Sequence, residues 1–284
     1  MSFIHYSAAF PPAASEAPMS ASPLDVRRVR HPLKMRELTV KRLMLSSPRL
    51  LRVTLAGDLD DFVSASFDDH VKLFFPPPGA SRPVLPTVTE QGIAFDPSLP
   101  RPVARDYTPR HYNRAANELD IEFVLHGEGP AVSWARNARV GDALGLGGPR
   151  GSAILPEGLD WLLLIGDETA LPAIARRLEE ATPGERILSV MEVDSADAIP
   201  EIATQARADL TWLRRDAGEG GLPEAVERLG LPGGEGFAWA AGEYAAIRRV
   251  RQRLIEVQGL DRQRIRASSY WKQGEVASHE TLTD

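Results

Sequence analysis

The sequence predicts two domains: a small antiparallel β-barrel over residues 29–154, then an α/β domain with a parallel sheet over residues 155–284, behind a flexible tail over residues 1–28. Three observations carry this reading. Up to residue 147, short alternating segments separated by Gly, Pro and Asp turns far outnumber helical patterns, as in a barrel. From Leu155 onward strand and helix patterns alternate, which calls for a doubly wound parallel sheet. Trp161-Leu-Leu-Leu-Ile165 is an unbroken apolar run, of the kind required of a strand covered on both faces.

In order, β-like alternation marks strands at 35–43 and 50–55. In FDDHVKLFFPPPG, Val71, Leu73 and Phe75 share one face and Lys72 the other, and three prolines end the strand. A proline-rich loop over 81–101 holds a short strand near 91–95. Strands follow at 103–112 and 119–126, then a short helix at 130–137 and a strand at 142–147. The second domain reads as a strand at 161–165, an amphipathic helix reaching about residue 181, a strand at 187–193 and a short helix at 200–206. A strand at 210–213, a helix at 223–229, a strand at 237–241, an Arg-rich helix at 243–258 and a strand at 265–271 complete it.

Composition narrows the chemistry. The 284 residues suffice for two ordinary cores, and 43% hydrophobic and 25% charged content are those of a globular chain. A net charge of −6 leaves no overall basic surface for nucleic acid, so an anionic ligand must meet a local basic patch. With no cysteine, disulfides, thiolate zinc sites, cysteine-ligated clusters and a cysteine nucleophile are excluded. The six histidines show no close pairing for a built-in metal. No apolar run has the length of a membrane span, and the first residues lack the basic start and apolar core of a secretion signal, which points to a cytoplasmic protein without membrane insertion.

The informative stretch is RDYTPRHYNRAANELDIEFVLHGEGPAVSWARNARVGDALGLGGPRG, residues 105–151. Side chains two apart on a strand share a face, so Arg105 and Tyr107 can meet one ligand, a cation for a phosphate and a ring for a flat heterocycle. Thr108, at the strand end, can offer its hydroxyl to a ring-edge nitrogen. Gly129 leaves room for a pyrophosphate at a helix opened by Pro130, where free N–H groups attract anions. Those parts suit a flavin. Gly145-Leu-Gly-Gly-Pro-Arg150 is rejected as a dinucleotide fingerprint, because Arg replaces the last glycine and no helix follows. In the second domain, Arg214 and Arg215 lie just past a strand's carboxyl end, where an adenosine 2′-phosphate could reach them.

Arg105-Asp-Tyr107-Thr108 resembles the flavin signature of the ferredoxin reductase superfamily. The longer series DDHVKLFFP, PTVTEQGI, ARDYTPR, DIEFVLHGEGPAVSWA, GDALGLGGPRGS and SYWK resembles the siderophore-interacting protein family of ferric-siderophore reductases over nearly the whole chain. The resemblance implies an FAD-binding barrel and an NAD(P)H-binding second domain. It implies cofactor contacts from Arg105, Asp106, Tyr107, Thr108 and Arg110, from Asp120, Val124, His126, Gly129, Pro130, Ala131, Ser133 and Trp134, and from Asp167, Thr169, Ala170, Gly242, Glu243 and Trp271. Lys72 and Arg150 are implied as the residues that receive the iron complex. Tyr270 and Trp271 are expected either to pack near the flavin or simply to bury the last strand.

The implied activity moves electrons from NADPH, or NADH, through FAD to Fe(III) held by a ferric siderophore or other ferric chelate. A flavin takes two electrons together and releases them singly, and iron(II) is held less tightly than iron(III) by hard oxygen ligands. A carrier without turnover and a reductase of a protein partner remain as alternatives; the complete second domain favours turnover over carriage.

Overall fold

The computed structural model describes residues 25–125, 127–274 and 280–282. In the first domain the strands are β1 (Arg27–Arg30), β2 (Met35–Ser47), β3 (Leu50–Gly57), β4 (Val71–Phe75), β5 (Thr87–Thr89), β6 (Gly92–Ala94), β7 (Val103–Tyr107), β8 (Pro109–Asn113), β9 (Glu118–Val124), β10 (Ala143–Gly147) and β11 (Gly151–Ile154). Seven of them form one antiparallel sheet in the order β7-β4-β10-β2-β3-β9-β8. Its two edges, β7 and β8, are consecutive in the chain and joined only by Thr108, so the sheet rolls round on itself. Period-two alternation sets what fills it: Leu38, Val40, Val53, Leu55, Val71, Leu73, Leu119, Ile121 and Phe123 all point inward and are buried. Helix α1 (Pro130–Asn137) lays Ala131, Ala135 and Trp134 on this core.

The second domain is a six-stranded sheet in the order β14 (Arg207–Arg214), β13 (Arg186–Val193), β12 (Trp161–Gly166), β15 (Gly236–Glu243), β16 (Ile265–Trp271), β17 (Glu280–Thr281), parallel except at β17. Every residue of β12 is buried. Leu162 and Leu164 pack with α2 (Leu171–Glu179) on one face, while Trp161, Leu163 and Ile165 pack with α3 (Leu222–Arg228) and α4 (Tyr244–Glu256) on the other. Burying a side chain of this kind contributes about 1.5–3 kcal/mol, and the continuous apolar run is the sequence counterpart of a strand with two covered faces.

Several expectations change. The span 103–112 is two strands rather than one, because Thr108 precedes Pro109 and the two halves pair with different partners, β4 and β9. The expected helix at 200–206 does not form: a single 3₁₀ turn occupies Ala196–Ala198, and Ile199 is extended ahead of Pro200. β14 begins three residues earlier than expected. The expected strand near 91–95 is the β5–β6 hairpin. Residues 1–24 of the expected tail lie outside the described residues, whereas Arg27 and Arg28 belong to β1, paired with β11.

The domains are joined by side chains. Asp68, buried in the loop before β4, accepts from Trp239 Nε1 at 3.1 Å and Arg266 Nε at 2.7 Å across the seam. Arg176 of α2 donates to Ser64 Oγ and to Pro109 O at 2.8 and 2.9 Å. Arg49, in the β2–β3 turn, pairs with Asp194.

Candidate active site

The register of β4 with β7 pairs Leu73 with Arg105 and Val71 with Tyr107, which turns Arg105 and Tyr107 to the inner face. Tyr107 lies 4.5 Å from the Phe123 ring, Phe123 5.5 Å from Trp134, and Trp134 5.7 Å from Phe75, an aromatic floor beneath α1. Burial pushes the Tyr107 phenol up, outweighing the pull of Arg105, and keeps it neutral. Among the described residues Arg105 makes one side-chain hydrogen bond, Nη1 to Ala104 O at 2.7 Å, which leaves its other donors available to an anion.

Gly129, at φ 154°, caps α1 with Pro130 behind it and no side-chain cap. A Cβ at Gly129 would meet nothing within 4 Å, so the space over the helix start is open. Ser133 is exposed and its N bonds Gly129 O at 2.8 Å, inside the helix. His126 lies outside the described residues. Uncapped N–H groups, an unspent guanidinium and an aromatic floor on one side of the barrel are what an FAD needs, and these residues fit it.

At the carboxyl ends of β12, β15 and β16, Asp167 ties a knot. Its Oδ1 accepts from Thr169 N at 2.8 Å and Thr169 Oγ1 at 2.5 Å; its Oδ2 accepts from Glu243 N and Trp271 Nε1, both at 2.9 Å. Gly242 makes this possible: at φ 150° it is backbone that favours glycine, and a Cβ would stand 2.6 Å from Asp167 Oδ2. Glu243 caps α4, accepting from Ala246 N at 2.9 Å. Asp167, Thr169, Gly242, Glu243 and Trp271 are thus brought together at the end of the sheet where open α/β folds take their ligands. Ala170 is wholly buried against Gly166 and serves packing. Asp167 is not a helix cap; α2 starts after Ala170, with no side-chain cap.

Other expected residues sit elsewhere. Asp106 faces the side of β7 opposite Tyr107 and holds Lys72 Nζ at 2.7 Å. Arg110 is buried and bridges to α2, donating to Glu179 at 2.7 and 2.5 Å. Its Nε lies 3.2 Å from Glu122 Oε2 without hydrogen-bond alignment. Burial works to lower the Arg110 pKa, but the two carboxylates more than offset it. Asp120 and Val124 lie on the outer face of β9, Asp120 held by Thr54 at 2.6 Å and Val124 packed towards the second domain. A cleft of about 580 Å³ opens on that outer side, over the Arg52, Glu122, Arg110 and Glu179 ladder, away from Tyr107.

Arg215 is spent on Glu168, Glu192 and Asp194, and Arg214 on Glu219, so neither stands free for a 2′-phosphate. Lys72 pairs through the backbone with Gly147, and Arg150 follows three residues later, exposed and without an ion pair among the described residues. Sequence reasoning missed Asp68 and Asp69. Asp69 accepts from Ser152 Oγ at 2.7 Å, Ser64 Oγ at 2.9 Å and Ser66 N at 3.1 Å, and burial raises its pKa. The available signal was two adjacent carboxylates ahead of an apolar strand.

Comparison with known proteins adds to this geometry. Residues 39–153 match the family model described as siderophore-interacting FAD-binding domain, and residues 159–274 that described as siderophore-interacting protein. The NADPH-dependent ferric-chelate reductase of Escherichia coli K12 is 39% identical over 89% of this chain and 99% of its own length. The ferric vibriobactin reductase ViuB of Vibrio cholerae is 38% identical over 82% of this chain and 89% of its own. Among solved structures, a siderophore utilization protein from T. fusca superposes with a TM-score of 0.80 at 37% identity, over 89% of this chain and 98% of that one. The siderophore-interacting protein SipS from Aeromonas hydrophila reaches 0.70 at 29% identity, over 85% and 93%.

Proposed function

The chain belongs to the siderophore-interacting protein family, and on that premise we propose that it is an FAD-dependent ferric-siderophore reductase, drawing electrons from NADPH or NADH and releasing iron as Fe(II). What supports the reading is two half-sites, an anion-ready aromatic floor in the barrel and the Asp167 knot at the sheet's carboxyl ends, on domains tied together through Asp68, Trp239 and Arg266. When bound, FAD supplies the exchange between two-electron and one-electron chemistry.

The residues do the rest. Arg105 and the open start of α1 hold the pyrophosphate, Tyr107 presents its ring to the isoalloxazine, and Thr108 addresses its edge. Asp167 fixes Thr169, Glu243 and Trp271 as the rim that a nicotinamide approaches. Lys72 and Arg150, from neighbouring strands β4 and β10 and the turn that follows, receive the negative ferric chelate. The barrel binds FAD and the second domain NAD(P)H, with the boundary near residue 154.

Measuring NADPH oxidation by the FAD-loaded protein with a ferric siderophore, against the same mixture without iron, tests this. Iron-dependent oxidation with Fe(II) trapped by a chelator is expected. A protein that cannot be loaded with FAD would overturn the flavin reading. Loading without iron-dependent turnover would leave a carrier.

A further inference from the structure

Beside Arg150 stands a second titratable residue, His31. β1 pairs with β11 antiparallel, Val29 opposite Ser152 and Arg30 opposite Gly151. The next step of that register puts His31 opposite Arg150, and His31 N donates to Arg150 O at 3.0 Å. Residues opposite each other in an antiparallel ladder turn their side chains to one face, with Cβ atoms about 4.5–5.5 Å apart. Gly151 permits this approach, since a Cβ there would stand 2.5 Å from Val29 O.

The imidazole is anchored by one nitrogen. Its Nε2 lies 2.8 Å from Ser152 Oγ. Ser152 Oγ gives its one hydrogen to Asp69 Oδ2 at 2.7 Å and accepts from Ala65 N at 3.2 Å, so the hydrogen in the Nε2 contact belongs to the imidazole. That fixes the tautomer, and Nδ1 is the nitrogen that gains or loses a proton. Among the described residues no hydrogen bond or ion pair engages Nδ1, and the residue is half-buried. The charged groups brought to it by register and hydrogen bonds are Arg150, opposite, Arg30, one position earlier in β1, and Asp69, behind Ser152. A neutral amide would serve Ser152 as well; what the imidazole adds is a transferable proton.

We propose that His31 is the proton donor of the ferric-chelate site, its Nδ1–H serving an iron-binding oxygen of a catecholate chelate held at Arg150, with Ser152 as the residue that positions the ring. This rests on the reductase reading given above. Oxygen ligands hold a metal in their deprotonated form and lose it when protonated. One electron passes from the reduced flavin to Fe(III). One Fe–O bond breaks with its electron pair left on the ligand oxygen, and that oxygen bonds the proton leaving Nδ1. The imidazole is then neutral, with hydrogen on Nε2, and regains a proton from solvent. Arg150 cannot take this part, because a guanidinium does not give up a proton in a protein. Lys72 is paired with Asp106.

The test uses the full chain loaded with FAD, its flavin reduced beforehand. The protein is mixed at one pH with a ferric hexadentate tris-catecholate or with ferricyanide, and flavin absorbance follows the reoxidation. Ferricyanide is also a negative iron(III) complex, but it keeps its ligands on reduction and takes no proton. The ratio of the two rates, chelate over ferricyanide, therefore separates proton delivery from charge. His31→Gln keeps a donor for Ser152 and is expected to lower that ratio about a hundredfold, the low end of what a positioned acid contributes. Free imidazole added to His31→Ala is expected to restore part of the ratio. An unchanged ratio in His31→Gln, equal losses with both acceptors included, overturns the inference and leaves the reductase reading intact. A wild type that is reoxidised by ferricyanide but not by the chelate removes the ferric-chelate reading itself, and the role of His31 with it.

Discussion

At the scale of single residues, the proposed flavin half-site rests on charge and the proposed nicotinamide half-site on a saturated carboxylate. Replacing Arg105 with alanine removes a charge-assisted bond of about 1.5–3 kcal/mol, roughly tenfold to a hundredfold in affinity. The expected result is an FAD Kd raised by that factor in a fluorescence titration, with unchanged thermal stability of the apoprotein. Asp167→Ala is expected to act differently. It leaves the part-buried donors of Thr169, Glu243 and Trp271 without the acceptor they share, and such an orphan costs about 1–3 kcal/mol only where water does not replace the acceptor. The variant should keep its flavin, melt lower, and show a raised KM for NADPH. An unchanged KM would reduce the knot to a structural tie.

At the scale of elements, the chain's irregularities fall where the site needs them. The break at Thr108 releases its hydroxyl from a strand edge and lets Tyr107 and Pro109 serve opposite edges of one rolled sheet. Another irregularity collects charge: β2 shifts register against β3 between Val40 and Arg42, and across β3 Glu118 of β9 accepts from Lys41 and Arg42, both at 2.5 Å. Arg42 first and then Lys41 hold its carboxyl down to about 2 from an ordinary 4.5. A depressed carboxylate pKa contributes stability that is present above the ordinary value and lost as pH falls through the folded one. Glu118→Gln is therefore expected to lower the unfolding midpoint near neutral pH, with the difference closing between pH 4.5 and about 2. A pH-independent difference would mean that the residue acts by packing alone.

At the scale of the whole molecule, a net charge of −6 opposes the approach of the negative ferric chelate proposed as substrate. Association then needs a local positive field, and the residues proposed for it are Arg150, which makes no ion pair among the described residues, and Lys72, whose charge is shared with Asp106. Each changed to alanine should keep FAD while lowering kcat/KM for an anionic ferric siderophore, and the loss should shrink as salt rises. An equal loss with a neutral quinone as acceptor would assign both residues to the flavin or the fold. The seam is the other whole-molecule feature. Asp68→Ala strands the partly buried Arg266 guanidinium and the Trp239 N–H, and breaking a buried pair in this way costs about 3–5 kcal/mol. Chemical denaturation followed by tryptophan fluorescence should show a lower midpoint, with the two domains no longer unfolding together.

Alternation, turn residues and the continuous run at 161–165 are local along the chain, so the sequence by itself determined the two kinds of domain and most of the strands and helices, but not the irregular stretch at 200–206 or the break at Thr108. The placement of Arg105 and Tyr107 on one strand face and of Gly129-Pro130 at a helix start was legible for the same reason: strand period and helix-start chemistry operate within a few residues. Only the tertiary structure decided which charges are spent within the fold and which are left for ligands. Arg110 and Arg215 read as ligand residues until their carboxylates, on other elements, come within hydrogen-bonding distance. Asp68 had no role in the sequence reading; Arg266, 198 positions away, gives it one. Such pairings depend on how two separately folded sheets dock, and no period or motif in a single stretch of chain encodes the partner of a side chain in the other domain.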